Sequence, residues 1–381
     1  MALDAVVREH EALRYRFHPH ADGSWGVTSA EPVQALLVVA AHGSGLADKL
    51  VSGEVGHGEL AQLVTFTPES NCRLIAYLVP TDPCHSTLLL LVDHLVCDSF
   101  SSQVLLAALG EHYRSGTDPS LVTVDRSGRA ALGSLREVFD TMRLSARQLA
   151  HGDALRRGSP IAWVDLQARV PWTVPAEDAV ARTRSMGVTA ADFSVRCAAL
   201  RASRFAFYLA TTNRTLADLG LAGGHLYLYP SLREGLDLGP AVGWLSGTAI
   251  VEVPETQPAS RAIAAARTAV AIAMTDGWAV WEKLSELADT HRRSATAASV
   301  SLIQYEDHAL PDIDFGSASG THLPKVRHFV PVRGRIALAF GERDGTVELS
   351  VAYEPSRFEK SSIDELIEAL AAQFQHLVAA V

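Results

Sequence analysis

Residues 86–116 read STLLLLVDHLVCDSFSSQVLLAALGEHYRSG, and the hydrophobic period changes within that stretch. Ser86 to Val92 is an apolar run of strand length, preceded by a turn at Thr81-Asp82-Pro83. From Phe100 to Tyr113 the spacing becomes helical, with Val104, Leu105, Ala108 and Leu109 on one face and Ser115-Gly116 as a stop signal. Between the two lies Asp93-His94-Leu95-Val96-Cys97-Asp98-Ser99. A segment joining a buried strand to a helix start is where a side chain leaves the sheet and faces a cavity.

Working outward, Ala5, Val6, His10 and Leu13 fall at helical spacing, followed by a strand at Tyr15 to Phe17 and a turn at Ala21-Asp22-Gly23-Ser24. A short helix is expected from Glu59 to Val64 and a strand from Arg73 to Val79. The sequence turns irregular between Gly152 and Pro175, and a helical pattern then runs from Thr189 through Ala210. Near the end, Arg335 to Phe340 and Thr346 to Tyr353 flank Asp344-Gly345, a hairpin signal. Ser362 with Glu365 reads as a capping box opening a helix, with Ile363, Leu366, Ile367, Leu370, Phe374, Leu377 and Val378 on one face. Helices and strands alternate in both halves, which predicts a mixed α/β (α+β) fold without internal repeats.

The chain has 381 residues, 48% of them hydrophobic and 20% charged. That length exceeds what one core usually organises, so two lobes are expected, residues 1–165 and 166–381, divided in the irregular stretch. The net charge of −10 is dispersed, and the arginines between Arg143 and Arg157 are better explained by one solvated helix face than by a nucleic-acid surface. No nucleic-acid partner is expected. The N-terminus carries Asp4, Glu9 and Glu11 where a secretory signal needs a basic start, and the apolar run Ala35 to Ala41 is far short of the ~20 residues of a membrane helix. A soluble, cytoplasmic protein with no membrane partner is expected. Cys72, Cys84, Cys97 and Cys197 form no C-x-x-C pair, and the His94 to Cys97 spacing has no second pair, so reduced thiols and no metal site are expected.

At the motif, His94 is either a catalytic group or a histidine satisfied by hydrogen bonds at a strand end. Side chains alternate along a strand, so if Asp93 still belongs to it, Asp93 points away from the side His94 faces. Asp98, just before the helix, reads equally as an N-cap or as a functional carboxylate. Cys97, within an apolar Leu-Val-Cys run, reads as a small packed residue rather than a nucleophile.

His94 and Asp98 in an H-x-x-x-D spacing resemble the condensation-domain superfamily of nonribosomal peptide synthetases, whose motif is H-H-x-x-x-D-G. Three further segments follow the family's order. Arg8-Glu9-His10-Glu11-Ala12-Leu13-Arg14 is similar to its "RHEALR" stretch, Val242-Gly243-Trp244-Leu245-Ser246-Gly247-Thr248 to its "IGxFVNT" stretch, and the closing strand with Tyr353, Phe358 and the last helix to its C-terminal end.

The resemblance implies two chloramphenicol-acetyltransferase-like lobes in a V with a tunnel between them. It implies amide-bond formation by a free-standing acyltransferase in nonribosomal peptide or related antibiotic biosynthesis. No cofactor would be bound; the donor would be an acyl or aminoacyl thioester on the phosphopantetheine arm of an acyl or peptidyl carrier protein, and the acceptor a small-molecule amine or hydroxyl. The role implied for His94 is to position or deprotonate the acceptor. Asp98 would pair with an arginine of the second lobe, best matched by Arg233, whose other reading is a surface arginine. Asp93, Ser99, Trp244 and Gln304 are candidate tunnel-lining residues; for Gln304 a solvent-facing strand position explains it equally well.

Three departures bear on activity: Asp93 replaces the family's first His, Ser99 replaces its Gly and adds a Cβ, and the strand and helix expected before "RHEALR" have no counterpart before Arg8. Those departures favour the alternative of a non-catalytic relative that docks carriers or recruits a tailoring enzyme. An ester-forming O-acyltransferase is the other alternative. Leu221-Ala222-Gly223-Gly224-His225-Leu226 is similar to a carrier-protein loop, with leucine in place of the modified serine.

Overall fold

The computed structural model describes residues 1–21, 25–39, 66–144, 180–220, 225–233, 238, 240–254, 257–278, 299–304, 312–321 and 335–380. The chain forms two compact units, and neither is one continuous stretch. The first gathers Met1–Asp140, Leu232–Ser246 and His308–Val326; the second gathers Thr141–Ser231, Gly247–Asp307 and Arg327–Val381. A single cut at residue 165 assigned Arg233 and Trp244 to the C-terminal lobe. Their segment instead packs into the first unit, because Val242 joins that unit's core beside Leu13, Leu74 and Leu105. The expected boundary itself, the helix at Glu59 to Val64 and most of the Leu221 to Leu226 loop lie outside the described residues.

In the first unit, α1 (Ala2–Glu9) buries Ala5, Val6 and Val7. A 3-10 turn, Glu11–Arg14, leads into the hairpin β1 (Tyr15–Pro19) and β2 (Trp25–Ser29). A three-stranded sheet follows, with β4 (Leu74–Pro80) parallel to β3 (Leu36–Val39) and antiparallel to β5 (Ser86–Val92). The register sets Leu74 opposite Val92 and Pro80 opposite Ser86. After the motif, α2 (Ser99–Ser115) packs Leu105 and Leu109 into the same core as Val6 and Val7. Gly116 ends it at φ 61°, the left-handed conformation that glycine adopts without steric cost. A further helix, α3 (Ser127–Thr141), buries Gly128 and Ala131.

The second unit is built on a six-stranded mixed sheet. Its strands are β6 (Val180–Thr189), β7 (His225–Leu228), β8 (Ala249–Glu252), β9 (Ser299–Gln304), β10 (Arg335–Arg343) and β11 (Thr346–Tyr353), in the order β6-β11-β10-β9-β7-β8. Ile336 to Phe340 of β10 are wholly buried, as expected of an interior strand covered on both faces. Asp344 and Gly345 adopt φ 48° and 72° in a two-residue turn, as the hairpin signal requires.

Around the sheet lie α4 (Ala190–Ala199), α5 (Arg204–Asp218), α6 (Ala259–Ile272) and α7 (Lys360–Ala379). The aromatic core joins Phe193, Phe207, Tyr208, Phe340 and Phe374, with Tyr208 stacked 4.7 Å from Phe340. The single helix expected from Thr189 to Ala210 is two. Arg201 turns at φ 50° and Ser203 caps a new helix, its hydroxyl accepting the Ala206 N–H at 3.1 Å. The capping box at Ser362 is also absent: α7 starts at Lys360, and Ser362 is buried in its first turn. The entry is fixed by a turn in which Arg357 and Phe358 donate backbone N–H groups to the Glu354 carbonyl, with a buried Arg357–Glu354 ion pair. The apolar face of α7 is buried as its spacing predicts. Among the described residues no helix is long and apolar enough to cross a membrane.

Candidate active site

All the groups around His94 described below belong to the first unit. Val92 ends β5, Asp93 starts a one-turn 3-10 helix His94–Val96, and Asp98 starts α2. The turn leaves the His94 side chain exposed. Its Nδ1 lies 2.7 Å from the Cys97 carbonyl oxygen. A carbonyl only accepts, so Nδ1 carries the proton and the lone pair of the neutral ring is on Nε2. The Trp244 indole stacks on the imidazole at 5.4 Å between centroids and 24° between planes. Leu95, Phe100 and Trp244 are exposed large apolar side chains in the same neighbourhood.

Asp98 is both the N-cap of α2 and the ion-pair partner of Arg233. As the N-cap of α2 its Oδ1 accepts the Ser101 N–H at 2.8 Å. The same carboxylate accepts Arg233 Nη2 at 2.8 Å on Oδ1 and 3.0 Å on Oδ2, and the Leu245 N–H at 3.1 Å. Arg233 is buried, donates Nη1 to the Ala241 carbonyl at 2.6 Å, and lies 4.6 Å over the Phe100 ring. It is therefore not a surface arginine. Ser101, fully buried, accepts the Gly243 N–H at 3.0 Å on its hydroxyl. Asp98, Ser101 and Arg233 thus lock residues 241–245, Trp244 among them, against the start of α2.

Asp93, a candidate tunnel-lining residue, has both carboxylate oxygens engaged within the first unit. Its Oδ1 accepts the Leu95 N–H at 3.0 Å, and its Oδ2 lies 2.8 Å from Arg73 Nη1. The antiparallel register that sets Leu74 opposite Val92 continues one residue to Arg73 opposite Asp93, where the Asp93 N–H bonds the Arg73 carbonyl at 3.0 Å. Arg73 was missed as a site residue. A hairpin register drawn from the two expected strands and the turn between them would have paired it with Asp93.

Ser99 is exposed at the first position of α2, and its φ is not positive, so the Cβ that replaces glycine brings no backbone strain. Cys97 is buried with its thiol pushed up to about 12, mainly by burial and further by the Asp98 charge, which makes it inert as a nucleophile. Gln304 ends β9 in the second unit, opposite Phe340 of β10. All four cysteines are free.

No protein-family model matches this sequence, and no curated protein matches it either. Solved structures do. SgcC5 from Streptomyces globisporus superposes with a TM-score of 0.71 at 15% identity, over 99% of this chain and 88% of that one. This chain has the condensation-domain fold. The first condensation domain of the calcium-dependent antibiotic synthetase matches with a TM-score of 0.68 at 15% identity, over 99% of this chain and 86% of that one. The epimerization domain from the third module of tyrocidine synthetase B matches with a TM-score of 0.68 at 13% identity, over 100% and 88%. The fold thus serves more than one reaction, and the site must carry the argument for which.

Proposed function

We propose that this chain is a condensation-type acyltransferase that joins an acyl or aminoacyl group, carried as a thioester on the phosphopantetheine arm of a carrier protein, to an amine. The observation that carries the reading is the His94 imidazole, held through Nδ1 by the Cys97 carbonyl with Nε2 directed away from that bond. Nε2 takes the proton of the acceptor amine as its nitrogen attacks the thioester carbonyl. The tetrahedral adduct then expels the thiolate, and Nε2–H returns the proton to the sulfur. Asp98, engaged by Ser101, Leu245 and Arg233, holds the wall of the site and takes no part in proton transfer. Asp93 in place of a first His is compatible with this chemistry, because its carboxylate is occupied by Arg73 and Leu95.

The reading predicts that His94→Ala lowers the rate by on the order of 10²–10⁴-fold while the circular dichroism and melting temperature stay unchanged. The assay uses purified protein, a loaded carrier and a panel of amines. Equal rates with and without His94 would remove the catalytic reading and leave a carrier-docking role. A hydroxyl acceptor is the second reading, supported by the aromatic 1,2-diol bound in the SgcC5 structure; alcohols in the same panel separate ester from amide formation.

A further inference from the structure

The geometry points to Asp93 and Arg73 as the positioning pair that sets the tautomer and aim of His94, which rests on the reading of His94 as the base. Arg73 is wholly buried at the head of β4. Its Nε bonds the Tyr15 carbonyl at 2.8 Å, its Nη1 the Thr67 carbonyl at 2.7 Å and Asp93 at 2.8 Å, and its Nη2 the Pro68 carbonyl, while the Phe17 ring lies 4.9 Å from the guanidinium carbon. Every one of those partners except Asp93 is neutral. Asp93 is thus the countercharge that lets a full positive charge sit out of water.

The carboxylate also reaches forward. Its second oxygen holds the Leu95 N–H, and the Asp93 carbonyl accepts the Val96 N–H at 3.0 Å. These bonds close the one turn that presents His94 and brings the Cys97 carbonyl round to Nδ1. The ion pair therefore anchors one end of the loop, and the Cys97 bond and Trp244 stack fix the ring at the other. A residue held only by its own backbone turn would sample several aims. This one is tied to β4, to β1 and to residues 67–68 through a single guanidinium fork.

Selective labelling of the histidine ring nitrogens tests the pair without any substrate. In the full-length protein, His94 is expected as a single Nδ1–H tautomer. Asp93→Asn keeps the shape and an acceptor for Leu95 but removes the charge, and is expected to give a mixture of tautomers. Turnover should fall by up to about 100-fold through kcat with KM little changed, the size expected of a reactive group displaced by about 1 Å. Asp93→Glu should restore the single tautomer and most of the rate. Should Asp93→Asn not fold, Arg73→Lys keeps the charge and removes the fork, and the same mixture is expected.

The proposal is overturned if folded Asp93→Asn or Arg73→Lys lowers the melting temperature while the His94 tautomer stays single, or if the unsubstituted protein lacks the Nδ1–H tautomer. A tautomer change in a protein with no acyl transfer to any acceptor upholds the pair and refutes only the acyltransferase reading.

Discussion

Asp98 is 9% exposed and Arg233 6%, and each is the other's charge partner. Removing either takes a countercharge from a buried ion, which costs about 3–5 kcal/mol, well beyond the ~1 kcal/mol of a lost cap alone. Asp98→Ala and Arg233→Ala are expected to show losses of the larger size, and the double variant to lose much less than their sum, measured by denaturant unfolding. Small additive losses would contradict the pair. His94 and Asp98 were legible because their spacing is local. Arg233 and Trp244 entered only through resemblance, since no periodicity connects positions so far apart. Arg73 escaped because a charged residue at the head of an apolar strand looks like a strand boundary until the register is drawn.

Among the elements, the junction of α1 with α2 holds a group whose titration bears on stability. His10, just after α1, is buried, neither ring nitrogen meets a hydrogen-bond partner among the described residues, and Asp125 stands 3.7 Å from Nδ1. Glu9 bonds His112 of α2 at 2.6 Å beside it. Burial holds the His10 pKa below its ordinary value and the His112 charge adds to this, while Glu9 and Asp125 oppose it. The unfolded chain, with a histidine pKa of about 6.5, therefore takes up the proton first as pH falls. His10 thus leaves stability whole above about pH 6.5 and lowers it as pH drops toward the depressed folded value. Melting temperatures across pH 5.5 to 7.5, roughly the range in which histidine titrates, should fall on acidification less steeply in His10→Leu than in the unsubstituted protein. Equal slopes would exclude His10 as the cause.

At the scale of the molecule, the first unit is completed by chain that arrives late in the sequence. Gly128 of α3 shows the consequence: a Cβ there would run into the backbone carbonyl of Val242, well inside contact distance. Gly to Ala inside a helix usually stabilises by roughly 0.5–1 kcal/mol. Gly128→Ala is expected to reverse that sign and destabilise by about 1–3 kcal/mol, whereas Gly133→Ala on the same helix, with open space around it, should follow the usual rule. Thermal melts of the two variants compare them directly; a stabilising Gly128→Ala would mean that Val242 does not press on α3.

By itself the sequence determined the mixed α/β class, β5, the helix after the motif, the Asp344-Gly345 hairpin and the buried face of α7. Each of these depends on local periodicity or on a turn that only a few residue types can make. The tertiary structure alone decided where α4 ends and α5 begins, since Arg201 accepts a left-handed φ that propensity does not foretell. It alone decided that Asp93 pairs with Arg73, because register is a property of two strands together. It also decided that Arg233 and Trp244 complete the first unit, because burial of Val242 and the charge of Asp98 draw a distant segment across the chain, and no local pattern records such long-range pairing.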